Sequence, residues 1–331
     1  MSCWFLLLVG MLAATGCNHG SVAGGSPAFK VALLTSGPVS DGGWNASAYE
    51  GLELIKSRLK AQTAQVQTTS PADFADAFRD FGARGFNVIF AHGFEYTDAA
   101  LRAARLFPHT VFVISSGRTS AANVASINFK FEEATYVEGV LAGLMSKSGV
   151  AGAVGGVELP AIRYTFDGYR LGFNSVRPKG QVLVSFIGNF NDVGAAKEAA
   201  LAQIGRGADF LTVNADAAGI GVLQAAAQRN VYAFGAFRDQ NSLAPTAVIA
   251  SAICDVADAF LRLASEVREG SFKPAVYDFG MKDGLVRLVF NPALEPKIPP
   301  GVMAQVKAAE SRVMAGEVKL PSLQPEPAPA S

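Results

Sequence analysis

Cysteine is scarce in this chain: there are three in 331 residues, Cys3, Cys17 and Cys254. Two of them fall in the first twenty positions, so once that segment is removed Cys254 stands alone and no internal disulfide can form. Histidine is as sparse, at His19, His92 and His109, and no His or Cys spacing matches a metal site, so no metal is expected. Excess charge is missing too. Lys plus Arg number 28 and Asp plus Glu number 28, which withdraws the attraction a nucleic-acid backbone needs. The glycine-rich "GAVGGV" does not fit the dinucleotide fingerprint, and no GxxxxGK[ST] phosphate loop occurs. No nucleophile stands with a base in a convincing context, and Cys254 in its apolar run reads as a buried core thiol. A binding protein is expected, without cofactor or catalytic residues.

What the chain does have is apolar residues, 50% of the total. At this length two domains of roughly 150 residues each are expected. The opening "MSCWFLLLVGMLAATGCNHG" carries one apolar run, Phe5 to Ala14, too short to span a bilayer and suited to a secretion signal over residues 1–16. Ala14 to Cys17 also looks like a bacterial lipobox, in which Cys17 is lipidated and becomes the new N-terminus; a plain signal peptide is the alternative. Gly and Ser then mark a tether over 17–28. The Pro-rich stretch 319–331 reads as a disordered tail, which leaves a folded part from Phe29 to Val318.

Within that part, "KVALLTS", "NVIFAHG" and "TVFVISSG" alternate with helical patterns over Ala46 to Leu59 and Thr97 to Phe107. The alternation resumes after Glu132 to Lys147 with "VAGAVGGV", "QVLVSFIG", "DFLTVNA" and "VYAFGAF". This is βαβ rhythm repeated, and continuous rather than alternating apolar runs place the strands between helices on both faces. The fold class is α/β, with two doubly wound lobes. A late helix is expected over Ser251 to Glu269, then a hairpin turning at Lys282-Asp283-Gly284.

Several blocks carry a family likeness: "SDGGWNASAYEGL", "AHGFEYTDAA", "NFKFEEATYVEGVLAG", "GYRLGFNSVRP" and "KEAALAQIGRGADFLTVNADAAGIGVLQAA". Together they resemble the basic membrane protein family of bacterial substrate-binding lipoproteins, the purine-nucleoside-binding components of ABC importers. The resemblance runs from about Lys30 to Leu288 in the family's order. It implies a type I periplasmic-binding-protein fold, with two Rossmann-like lobes joined by a three-strand hinge. We expect an N-terminal lobe over 29–128 completed by about 251–272, and a C-terminal lobe over 129–250 completed by about 273–318. It further implies a monomeric, lipid-anchored protein on the outer side of the cell membrane that passes a purine nucleoside or free base to permease subunits. A ligand-sensing regulatory or receptor-associated domain on the same fold is the alternative.

The site follows from both readings. Ligands of open α/β sheets bind beyond the carboxyl ends of the strands, and "SGPVSDGGWN" follows the first strand. By the resemblance, Trp44 stacks on the purine and Asn45 binds it; on local chemistry alone, Trp44 could be a hydrophobic staple and Asn45 an N-cap. Ser40 and Asp41 are candidates for the purine edge or for ordinary turn chemistry. His92 and Phe94 follow the "NVIFAHG" strand, Asn128 and Phe129 sit near the first crossing, and Asp216 and Gly219 open a helix N-terminus. Two departures from the family stand out. Where it usually has an aspartate that holds the ribose, this chain has Phe237, and where it has a lysine for the sugar, this chain has Cys254. Either the site takes a free base, with Phe237 filling the ribose volume, or Arg238, Asp239 or Gln240 restores the lost polarity.

Overall fold

The computed structural model describes Met1 and residues 28–321. The signal, lipobox and tail assignments therefore fall outside the described residues, apart from the first positions after 318. The first lobe is built from β1 (Lys30–Thr35), α1 (Trp44–Leu59), β2 (Gln62–Gln67), α2 (Pro71–Ala83), β3 (Val88–His92), α3 (Thr97–Leu106), β4 (Val111–Ser115) and β5 (Val124–Phe129). The second begins with α4 (Phe131–Met145) and continues through β6 (Val150–Gly155), α5 (Pro160–Val176), β7 (Gln181–Phe186), α6 (Val193–Gly205), β8 (Phe210–Asn214), α7 (Gly219–Arg229), β9 (Tyr232–Phe237) and β10 (Val248–Cys254). The chain then returns with α8 (Val256–Glu269) and β11 (Val276–Phe279), and crosses back for β12 (Val286–Phe290) and α9 (Pro300–Met314).

The first sheet has the order β11-β5-β4-β3-β1-β2 and the second β12-β10-β9-β8-β6-β7. Every pairing is parallel except β10 with β12. β3, β5, β8 and β10 are buried along their whole length, as strands covered on both faces must be. Both lobes share the order 2-1-3-4-5 in their own first five strands. Each therefore has one switch point, between β1 and β3 in the first lobe and between β6 and β8 in the second.

Helix α4 is buried on nearly all sides and lies close against α5 through glycines. A methyl group on Gly139 would strike the Tyr169 carbonyl, and one on Gly172 the Tyr136 carbonyl. Only a bare backbone allows that approach.

Three expectations change. The segment 276–290 is not a hairpin: β11 runs parallel to β5 in the first sheet, and β12 runs antiparallel to β10 in the second. Their alternating patterns fit edge strands of two different sheets as well as one hairpin, and the turn closed by Gly284 at φ 75° joins the lobes instead. The late helix starts at Val256, because Ser251, Ala252 and Ile253 pair with both β9 and β12, Cys254 pairs with β12, and Asp255 caps the Asp258 amide at 3.2 Å. Finally β2, whose sequence QTAQVQ is too polar to announce itself, and α9 emerge from stretches that gave no clear periodicity.

The connections between lobes lie at residues 129–131, 254–256 and 279–286. Side chains tie them together. Glu133 accepts the Met281 amide at 2.6 Å, Asp278 takes bonds from Asn128 Nδ2 at 2.7 Å and from Arg118 at 3.2 Å, and Arg287 reaches Asp255 at 2.8 Å.

Candidate functional site

Ligands in open α/β sheets sit at the switch point beyond the strand carboxyl ends. The segments there are 36–43 after β1 and 93–96 after β3 in one lobe, and 156–159 after β6 and 215–218 after β8 in the other. They face each other. The Cα of Asp216 lies 3.9 Å from where a Cβ on Gly43 would stand, and Gln240 Nε2 donates to the Gly42 carbonyl at 3.2 Å. Arg238, just beyond β9, pairs with Glu50 on α1.

The first lobe's wall is organised by Asp41. Its Oδ1 accepts the amides of Gly43 and Ala46, both at 2.9 Å, and its Oδ2 accepts the Asn45 amide at 2.8 Å and Asn45 Nδ2 at 2.9 Å. Four donors at the N-terminus of α1 thus converge on one buried carboxylate, which satisfies amides that a helix start leaves open. The bond to Asp41 fixes the Asn45 amide, leaving Asn45 Oδ1 as a buried acceptor with no partner among the described residues. Trp44 stacks on His92 with ring centroids 3.9 Å apart and planes 24° from parallel. His92 is fully buried, and desolvation pushes its pKa down to about 3 against the raising effect of the Trp44 carbonyl. The ring is therefore neutral. Nε2, 3.1 Å from the Trp44 carbonyl, must donate, so Nδ1 accepts from the Ser115 hydroxyl at 2.9 Å. His92 spends both nitrogens inside the protein and backs the indole.

The second lobe's wall is strained rather than saturated. Asp216 has φ 46° and Phe237 φ 67°, a region that non-glycine residues rarely adopt and that clusters at functional sites. Phe237 meets Trp44 edge-on at 5.4 Å and stacks on Phe131 at 4.9 Å. The Asp216 carboxyl is pushed up to about 7, first by desolvation and then by Asp41 and Glu95. Glu95 itself is raised, mainly by desolvation, against a bond from Ser36.

The remaining candidates divide. Ser40 is exposed. Phe94 is 49% exposed, so it is not core. Gly219 begins α7 and is buried against Val213. Asn128 belongs to the hinge network with Asp278, and Phe129 packs beside Phe279. Sequence reasoning missed two residues. Phe190 follows β7, its ring lies against Gly156 and its carbonyl takes the Ala218 amide at 3.0 Å, which sets it beside Asp216. The signal was the one that marked Trp44: an aromatic in a Gly/Asn-rich loop after a strand. Glu95, itself exposed, carries no local pattern that marks it.

Among the described residues no group of three or more His, Cys, Asp or Glu side chains is placed to hold a metal ion. The cleft offers aromatic faces and hydrogen-bond acceptors, the equipment for holding a flat polar ring.

Residues 28–324 match the family model described as "ABC transporter substrate-binding protein PnrA-like". The chain is 31% identical over 316 residues to a purine-binding protein of Brucella abortus, covering 93% of this chain and 88% of that one. It is 27% identical over 345 residues to the ABC transporter nucleoside-binding protein BmpA of Lactococcus lactis, covering 96% and 97%. Among solved structures, an ABC transporter solute-binding protein from Conexibacter woesei superposes with a TM-score of 0.74 at 28% identity, covering 89% of this chain and 99% of that one. The chain therefore belongs to the Bmp family of PnrA-like ABC transporter substrate-binding proteins, binding proteins rather than enzymes, and has their two-lobed type I fold.

Proposed function

We propose that this protein captures a purine ring in the interlobe cleft, flat against Trp44, and delivers it to an ABC permease from outside the cell membrane, where a lipid on Cys17 holds it. The observation that carries this is the Trp44–His92 stack at the switch point. One indole face is backed by a rigid neutral imidazole, and the other, inclined to Phe237, is the platform for the ligand. Phe190, on the facing lobe beside Asp216, supplies a second aromatic wall. The Brucella and Lactococcus relatives, named for purine and nucleoside binding, point the same way. Ligand bridging both walls stabilises the closed arrangement by its differential affinity for it.

Free base is the preferred form. Of the residues able to replace the lost ribose carboxylate, Arg238 is paired with Glu50, and Asp239 is turned to solvent, with Oδ1 accepting the Asn241 amide at 3.0 Å. Gln240 spends Oε1 on the Ala236 amide and Nε2 on the Gly42 carbonyl. A ribose hydroxyl buried without a partner costs about 1 to 3 kcal/mol. Calorimetry with adenine, guanine, adenosine and guanosine tests this: bases should bind more tightly, and tight binding of nucleosides alone would refute the base preference. Fractionation of a Cys17→Ser variant tests the anchor, since the variant should leave the membrane.

A further inference from the structure

We infer that the cleft is a charge filter: Glu95 from one lobe and Asp216 from the other select purines that present hydrogen-bond donors and exclude purines that carry negative charge. This rests on the purine reading above and adds which purines are taken.

Four acceptors gather where the loops of the two lobes meet. Asp41 anchors the start of α1. Asn45 has given its amide nitrogen to Asp41, and its Oδ1, in a residue only 4% exposed, has no partner among the described residues. Asp216, left-handed at φ 46°, sits against Gly43 across the lobes. Glu95 folds its carboxyl back over Gly93 at the end of β3. Asp216 senses both Asp41 and Glu95 as like charges, and among the described residues no ion pair engages Asp41, Glu95 or Asp216. The interlobe cation Arg238 is paired with Glu50.

With its carboxyls ionised, as in mildly alkaline solution, such a surface must be met by donors. Exocyclic amines and ring N–H groups satisfy the orphaned Asn45 oxygen and the two carboxyls together, and they relieve the repulsion that closing the lobes would otherwise concentrate. A purine that has ionised its ring, as urate has at neutral pH, brings a further negative charge into a site that holds several and offers no compensating cation. Purine nucleotides, with their phosphate charges, are excluded for the same reason.

The test is calorimetric titration of the folded full-length protein with adenine, guanine, xanthine and urate in mildly alkaline buffer, repeated on Asp216→Asn and Glu95→Gln. Wild type should hold adenine at least about tenfold more tightly than urate. Each variant should narrow that ratio several-fold by strengthening urate. Asp216→Gly, which suits the left-handed backbone, serves if Asp216→Asn fails to fold. Equal affinity for adenine and urate in wild type overturns the filter and leaves purine binding standing, as does an unchanged ratio in both variants. If no purine binds wild type at all, the proposed function falls and takes the filter with it.

Discussion

The two lobes repeat one strand order, yet they furnish the cleft by opposite means. On the first lobe, the wall is finished but for one open acceptor, Asn45 Oδ1: Asp41 collects four hydrogen bonds, His92 spends both nitrogens, and Trp44 is pinned by its own carbonyl and by stacking. On the second, the wall keeps unspent tension, in two non-glycine residues with positive φ and a carboxyl driven up to about 7. The difference teaches a division of labour. In the proposed function the well-bonded wall is the anvil, and the strained one closes onto the ligand.

The largest effect should come from Asp41→Ala, which orphans four donors at the start of α1. We expect a loss of about 3 kcal/mol in stability by urea unfolding, and a cost below about 1 kcal/mol would show that the first wall is not held this way. Trp44→Ala should weaken purine binding by about 1 to 3 kcal/mol in calorimetry; an unchanged dissociation constant rejects the platform.

A third prediction concerns the strained wall and its pH dependence. The folded pKa of Asp216 lies above its unfolded value, so the folded state holds the proton longer. Its contribution to stability is whole below the unfolded value of 3.8 and is lost as pH rises through about 7. Asp216→Asn should therefore be more stable than wild type at pH 8 and lose that advantage toward pH 4, as followed by thermal melts; parallel melting curves would contradict it. The smallest effect should be Glu50→Gln, which frees Arg238 from an exposed pair that spans the lobes. Less than about 1 kcal/mol is expected, fading as salt is added, and a large salt-insensitive loss would mean that the pair is central to closure.

Much of this was legible in the sequence because it rests on short-range chemistry. Continuous apolar runs announced the buried strands, and an indole in a Gly-rich loop after the first of them marked the platform. Asp41 was visible as a residue but not as a hub, since turn chemistry and helix capping look alike until the donors are seen to converge. The division of β11 and β12 between sheets was hidden, because period-two alternation records which face is buried and not which strand lies alongside. His92 reads as a ligand residue from its position after a strand; only burial and two internal partners show that it supports another ring. Phe190 and Glu95 join the site through pairing of distant loops, which no local pattern encodes.

That division of the last strands also bears on how the protein is made. The first lobe lacks α8 and β11 until residues 256–279 have been synthesised, by which time nearly all of the second lobe has already left the ribosome. Neither half can mature as a contiguous fragment, so a chain severed near its middle would have to reassemble from two interlaced pieces, and the lobes should melt as one unit rather than in sequence.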